Sequence, residues 1–199
     1  MTIRDILSSW AGVRPLIHEE GKSSSESSRK DEIFTSESNL LSMAGGKLTG
    51  YRKMSERIVD LVMEQLGDEE NLHWIKSRTK EISLEGGPFA DEHEVQAYRD
   101  GVIQKLRKYR FDDYPGWNLV ATYGRQADQI IGIFEENYRK EGNNEKLLIL
   151  AELDFCIQNE MVVTALDFIM RRSGRLYFDI KSVRVYAPEI INHLSKTLG

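Results

Sequence analysis

The sequence predicts an α+β chain: short strands of an incomplete sheet, followed by a mainly α-helical C-terminal domain. Three observations predict it. Apolar segments of strand length, Ser8–Ile17, Glu32–Ser36 and Leu40–Ala44, fall within the first fifty residues. From Thr49 onward the apolar spacing becomes helical, with Met54, Ile58, Leu61, Val62 and Leu66 on one face. Turn residues then separate a succession of apolar stripes, with no internal repeat.

Composition narrows the class. Hydrophobic residues make up 40% and charged residues 30% of the 199, a balance that suits a folded globular chain rather than a disordered one. No apolar run reaches the roughly 18 residues of a membrane span, and the first ten residues lack a signal-peptide core. The lone Cys156 excludes an internal disulfide and a polythiolate zinc site. A net charge of −5 argues against general nucleic-acid binding and fits a cytoplasmic protein.

In chain order, Ser8–Ile17 reads as a strand leaving into a loop at Pro15, and Gly21–Lys30, with its five serines, as solvated loop. Glu32–Ser36 and Leu40–Ala44 complete a sheet too small to stand alone. Thr49 as N-cap and Gly67 as stop bound a helix over 49–67. The chain is expected to divide into 1–67, a connection over 68–90 ending at Gly86-Gly87-Pro88, and an all-α domain over 91–199. In the last, Val95, Tyr98, Val102, Leu106 and Tyr109 form one stripe, and Ala127, Ile130, Ile131, Phe134 and Tyr138 another. Leu147–Phe155 and Val162–Met170 are apolar segments, and Val183, Tyr186, Ile190, Ile191 and Leu194 form the last stripe. Turn signals stand at Asp112–Gly116, Gly124, Gly142-Asn143 and Gly174.

Two places carry chemistry. Gly45-Gly46-Lys47-Leu48-Thr49 runs from a strand into a helix start, where glycines admit a close ligand and the helix end attracts an anion. The same pattern also serves as an ordinary tight turn, and it has the spacing of neither a P-loop nor G-x-G-x-x-G. Arg14, inside an apolar run, is either on an exposed strand face or held inside to bind phosphate or carboxylate. Arg29 alone reads as a surface charge. The four histidines show no metal spacing, so no metal is expected. Cys156 reads as a buried inert thiol, and Trp10, Trp74 and Trp117 as core or loop anchors. Arg171, Arg172, Arg175, Lys181 and Arg184 make the tail basic, as a solvated face, as ion pairs, or as a peripheral membrane contact.

Taken together, Ser9-Trp10-Ala11-Gly12-Val13-Arg14-Pro15-Leu16-Ile17, Ser28-Arg29 and Met43-Ala44-Gly45-Gly46-Lys47-Leu48-Thr49-Gly50-Tyr51-Arg52-Lys53-Met54 resemble the C-terminal third of FAD-dependent glycerol-3-phosphate dehydrogenases. Leu84-Glu85-Gly86-Gly87, Tyr123-Gly124, Ala151-Glu152 to Glu160-Met161 and Asp167–Phe178 extend the resemblance through the helical part. It implies a substrate-domain sheet fragment followed by a helical cap. It implies oxidation of sn-glycerol 3-phosphate to dihydroxyacetone phosphate, with hydride passing to FAD and electrons to a quinone. Arg14 and Arg29 would then bind substrate. Gly45, Gly46, Lys47, Leu48 and Thr49 would face FAD, and Lys47 would also act in catalysis. Gly50 stands where the family usually has threonine, and Gly174 interrupts its arginine-rich run. The G-x-G-x-x-G fingerprint is absent and no histidine maps onto the family's catalytic one, so the chain reads as a fragment that neither holds FAD tightly nor turns over alone. A glycerophosphate oxidase, with oxygen as acceptor, and a non-catalytic helical interaction module are the alternatives. A homodimer through exposed strand edges and a peripheral place on the inner face of the cell membrane complete the expectations.

Overall fold

The computed structural model describes residues 2–7, 9–13, 31–45, 48–70, 75–140 and 142–199, with the backbone alone at 68–70. It contains two compact units, Ala11–Ser83 and a second formed by Met1–Trp10 with Leu84–Gly199. It is α+β and mainly helical.

In Ala11–Ser83, β1 (Glu32–Thr35) and β2 (Leu41–Ala44) pair antiparallel, with Ile33 opposite Met43 and Thr35 opposite Leu41. The hairpin turns at Asn39, whose φ of 60° suits asparagine better than most side chains, and Ser36 Oγ accepts from the Leu40 N–H at 3.1 Å. Ser9–Val13, the described part of the first expected strand, forms no strand. A 3₁₀ turn at Leu48–Gly50 leads into α1 (Tyr51–Glu70). Thr49 is therefore inside a turn rather than an N-cap. Gly67 does not end the helix, because a single glycine costs only about 1 kcal/mol in a helix interior.

The second unit holds the core. Its helices are α2 (Glu92–Arg107), α3 (Asp113–Tyr123), α4 (Ala127–Asn137), α5 (Asn144–Asn159), α6 (Arg175–Phe178) and α7 (Ile180–Leu198). Side-chain caps start α2, α5 and α7: Asp91 accepts from the Glu94 N–H at 2.9 Å, Asn143 from Lys146 at 3.0 Å, and Asp179 from Ser182 at 3.3 Å. Asp112 likewise caps α3 at 3.1 Å, so the expected turn at Asp112–Gly116 is instead a helix start, with proline tolerated in the first turn. Val102, Leu106, Leu119, Ile130, Phe134, Leu153, Phe155, Phe168 and Ile190 pack into one apolar cluster. Each expected stripe supplies part of it, although Ile191 is 54% exposed.

Val162–Met170 is not one regular helix. Val162 is buried, Asp167 Oδ2 accepts from the Thr164 N–H at 2.8 Å, and Asp167–Arg172 forms a π-helical segment. Gly174, at φ 63°, then resets the chain into α6. Trp10 and Trp117 are anchors at the surface rather than in the core: Trp10 packs on Tyr177 with centroids 4.9 Å apart, and Trp117 stacks on Tyr114. His18, His73 and Trp74 lie outside the described residues. No described helix is long and apolar enough to cross a membrane.

Candidate functional site

The strand-to-helix turn carries the chemistry-bearing residues on its two flanks. β2 ends at Ala44, Gly45 follows, and Leu48 begins the 3₁₀ turn that opens α1. Gly45 has a steric reason to be glycine, because a Cβ there would meet Met54 Cε of α1 at 2.3 Å. The methionine thus lies directly over the backbone of the turn. Leu48 presents its side chain outward at 91% exposure, and Thr49 is exposed beside it.

The first N–H groups of a helical segment have no partner within it, so this end is a donor cluster with a positive dipole end. Its charges favour an anion as well, since the first turn of α1 contains no acidic residue and does contain Arg52 and Lys53. Glu56 tempers that field. Its carboxylate pairs with Lys53 Nζ at 2.5 Å and with Arg52 Nη1 at 2.8 Å. The hydrogen bond from Lys53 first, and that from Arg52 second, hold its pKa below the usual carboxylate value. Arg52 also reaches Thr79 Oγ1 at 3.4 Å, and Arg57 pairs with Asp31 at 3.3 Å, tying α1 to the segments before and after it.

Of the residues the sequence nominates, Gly45, Leu48 and Thr49 are on this turn, while Arg14, Arg29, Gly46 and Lys47 lie outside the described residues. The described part suits a flavin: an exposed apolar side chain at Leu48 to cover a ring edge, and a helix start free of acid to face anionic groups.

Sequence reading missed a second polar cluster, in the helical unit. Glu152 on α5 is fully buried, accepts from Tyr123 Oη at 2.8 Å and pairs with Arg175 Nη2 at 2.5 Å. Arg175 also reaches Asp179 at 3.1 Å, so it is held by ion pairs and is not part of a solvated basic face. Arg171 and Arg172 pair with Asp167 and Glu160. The available signal was Glu152, one of two acids with Asp154 in the otherwise apolar run Leu147–Phe155. Beside it Cys156 is buried, as its apolar neighbours imply, and burial foremost pushes its thiol up to about 12, which leaves it unreactive.

The connection into this unit is fixed by backbone approach. Gly86 and Gly124 have φ of 86° and 56°, and a Cβ on Gly124 would stand 2.1 Å from the Gly86 carbonyl oxygen. Arg125 closes the contact, donating from its backbone to Gly86 O at 2.9 Å and from Nε to Pro88 O at 2.8 Å, with its guanidinium over Phe89.

Residues 77–199 match the family of the C-terminal domain of alpha-glycerophosphate oxidase. The chain belongs to this family. Its similarity to glycerol-3-phosphate dehydrogenases reaches beyond the family domain, to nearly the whole chain. It is 41% identical over 197 residues to the aerobic glycerol-3-phosphate dehydrogenase of Bacillus subtilis, covering 98% of this chain and 36% of that protein. The corresponding dehydrogenase of Staphylococcus saprophyticus is 41% identical over 196 residues, covering 98% and 35%. Among solved structures, the glycerol-3-phosphate dehydrogenase from Bacillus halodurans complexed with FAD superposes with a TM-score of 0.73 at 36% identity, over 99% of this chain and 38% of that one. The chain therefore spans about a third of the length of the relatives it matches, and the likeness is to their C-terminal portion.

Proposed function

We propose that this chain supplies one wall of the active site and the helical cap of a flavoprotein that oxidises sn-glycerol 3-phosphate to dihydroxyacetone phosphate and passes the electrons to a quinone. The observation that carries the reading is the likeness, over 99% of the chain at 36% identity, to a glycerol-3-phosphate dehydrogenase complexed with FAD. FAD, when bound, accepts the hydride from the secondary carbon. The chain's own residues bind and position. Arg14 and Arg29 anchor and orient the substrate phosphate, for which the guanidinium fork is suited. Lys47 stabilises negative charge developing at the turn, and the backbone N–H groups from Gly45 to Thr49 face the cofactor. The chain alone, without the dinucleotide fingerprint, neither retains FAD tightly nor turns over. The assembled protein is cytoplasmic and homodimeric, with peripheral contact at the inner face of the membrane, a contact suited to the basic tail residues Lys181 and Arg184.

The description of the matching family supports a second reading, in which oxygen is the acceptor. One chimera tests both. Residues 1–199 replace the matched segment of the Bacillus subtilis dehydrogenase, and glycerol 3-phosphate is supplied with and without a soluble quinone. Quinone reduction without peroxide is the expected result, and peroxide formed without quinone decides for oxygen. In the same chimera, Arg14→Ala and Arg29→Ala should each raise KM about 30-fold, the loss of a charged hydrogen bond worth roughly 2 kcal/mol. Lys47→Ala should lower kcat by about 100-fold. A flavin-loaded chimera that leaves glycerol 3-phosphate unoxidised overturns the proposal.

A further inference from the structure

The pairing of Glu152 with Arg175 leaves one buried donor unused. Arg175 Nη2 is taken by Glu152, and Nη1 reaches Asp179 at 3.1 Å and Ser182 Oγ at 3.4 Å. Nε is buried and has no hydrogen-bond partner among the described residues. A buried N–H left in that state costs free energy until something accepts from it.

A cavity of about 70 Å³ lies against this side chain, between α3, α5 and the turn from α6 into α7. Arg175, Asp179, Glu145 and Asn118 give it a polar wall, and Phe111 and Leu148 an apolar one. The half-buried Asn118 side chain makes no hydrogen bond to a described residue. Glu145 accepts from Tyr186 Oη at 3.0 Å through Oε2, which leaves Oε1 as an unused acceptor. Tyr114 also lines the cavity and is 47% exposed, so the space can be reached from solvent. One water needs only about 10–15 Å³ of such space, so there is room for a molecule of roughly five heavy atoms.

Charge narrows what fits. Arg175 is opposed by three carboxylates: Glu152 and Asp179, which pair with it, and Glu145 on the same wall. An anion could accept from Nε but would meet that excess of negative charge. A cation would be attracted, yet it has no lone pair to offer Nε. A neutral hydroxyl accepts and donates from one atom, and so serves Nε, Asn118 and the carboxylates alike.

We propose that this cavity binds a small neutral polyol. One hydroxyl accepts from Arg175 Nε, a neighbouring one donates to Glu145, and Asn118 bonds to either. The carbon skeleton lies against Phe111 and Leu148, where it displaces water that those apolar walls cannot hold in order. A ligand of this size reaches a Kd of about 1 mM. The site does not depend on the flavin chemistry proposed above.

The test uses the full chain labelled with nitrogen-15, with propane-1,2-diol as the added ligand. Arg175 Nε–H is the reporter, because a buried N–H exchanges slowly enough with water to be followed by nuclear magnetic resonance. The diol should move that resonance saturably, with half-saturation at about 1 mM. Acetate and ethylammonium, an anion and a cation of similar size, should leave it in place. Asn118→Leu gives the wall an apolar side chain, and Glu145→Gln removes the charged acceptor while keeping a partner for Tyr186. Each should raise the half-saturation concentration about tenfold, with far-ultraviolet dichroism unchanged. A resonance that the diol does not move means that the cavity holds water alone, and overturns the proposal. An equal response to acetate or ethylammonium, or saturation that neither substitution weakens, overturns it as well. A drift that never saturates is the general effect of a cosolvent and counts the same way.

Discussion

Glu152 is a charge that the apolar stretch around it would not tolerate alone. Its carboxylate is completely buried on α5 and is balanced by Arg175 at 2.5 Å and Tyr123 at 2.8 Å. Removing one partner should cost far more than removing both. Glu152→Ala, which strands Arg175, is expected to lose about 3–5 kcal/mol in urea unfolding, and Glu152→Met with Arg175→Met together much less than the sum of the single changes. Additive losses would mean that the pair does not act as a unit. Gly124 makes a comparable case in the backbone. Gly124→Ala should lose more than the roughly 1 kcal/mol of left-handed strain, because its Cβ would also meet the Gly86 carbonyl. Both substitutions read out on melting temperature. Gly86 and Gly124 were each legible as breaks in the pattern; that they meet, 38 residues apart, became visible only when the chain had folded.

At the scale of elements, the helices were legible where capping residues and periodicity agreed, and less so at their ends. α2, α4, α5 and α7 lie over the apolar stripes that predict them. Pro188 is carried within α7. Thr49 and Gly67 misplace the limits of α1, since neighbours decide whether a local stop signal is obeyed. Side chains between elements add what periodicity omits. Asp128 on α4 accepts from Lys105 Nζ at 2.5 Å and Tyr98 Oη at 2.9 Å, both on α2. Partial burial alone would raise its pKa; these two hydrogen bonds outweigh it and leave the value lowered. Its stabilising contribution is therefore present above the unfolded value of ~3.9 and lost as pH falls through the lower folded value. Because the pair is largely exposed, Asp128→Asn should cost only roughly 0.5 kcal/mol at pH 7. That difference from the parent should shrink in unfolding curves as pH falls below the unfolded value and through the lower folded one. An Asp128→Asn deficit that persists in acid would mean that the contact acts by shape rather than charge.

For the whole molecule, the distribution of burial predicts unequal independence of its parts. Every buried hydrophobic residue described belongs to the helical unit, so residues 84–199 expressed alone should unfold in a single cooperative transition by circular dichroism. Residues 11–83 alone should give a broad transition of small amplitude. A sharp transition in the shorter piece would reverse the assignment of the core. The sequence by itself determined the class, a scant sheet followed by helices, together with the glycine-rich turn and the helical stripes. These follow from spacing along the chain, which steric and hydrophobic periodicity translate directly into local structure. Only the tertiary structure decided that Glu152 and Arg175 meet, that Gly86 and Gly124 touch backbone to backbone, and that none of the described side chains of the hairpin and α1 is fully buried. Each of these depends on residues far apart in the chain, and burial is a property of what surrounds a side chain rather than of the residue itself.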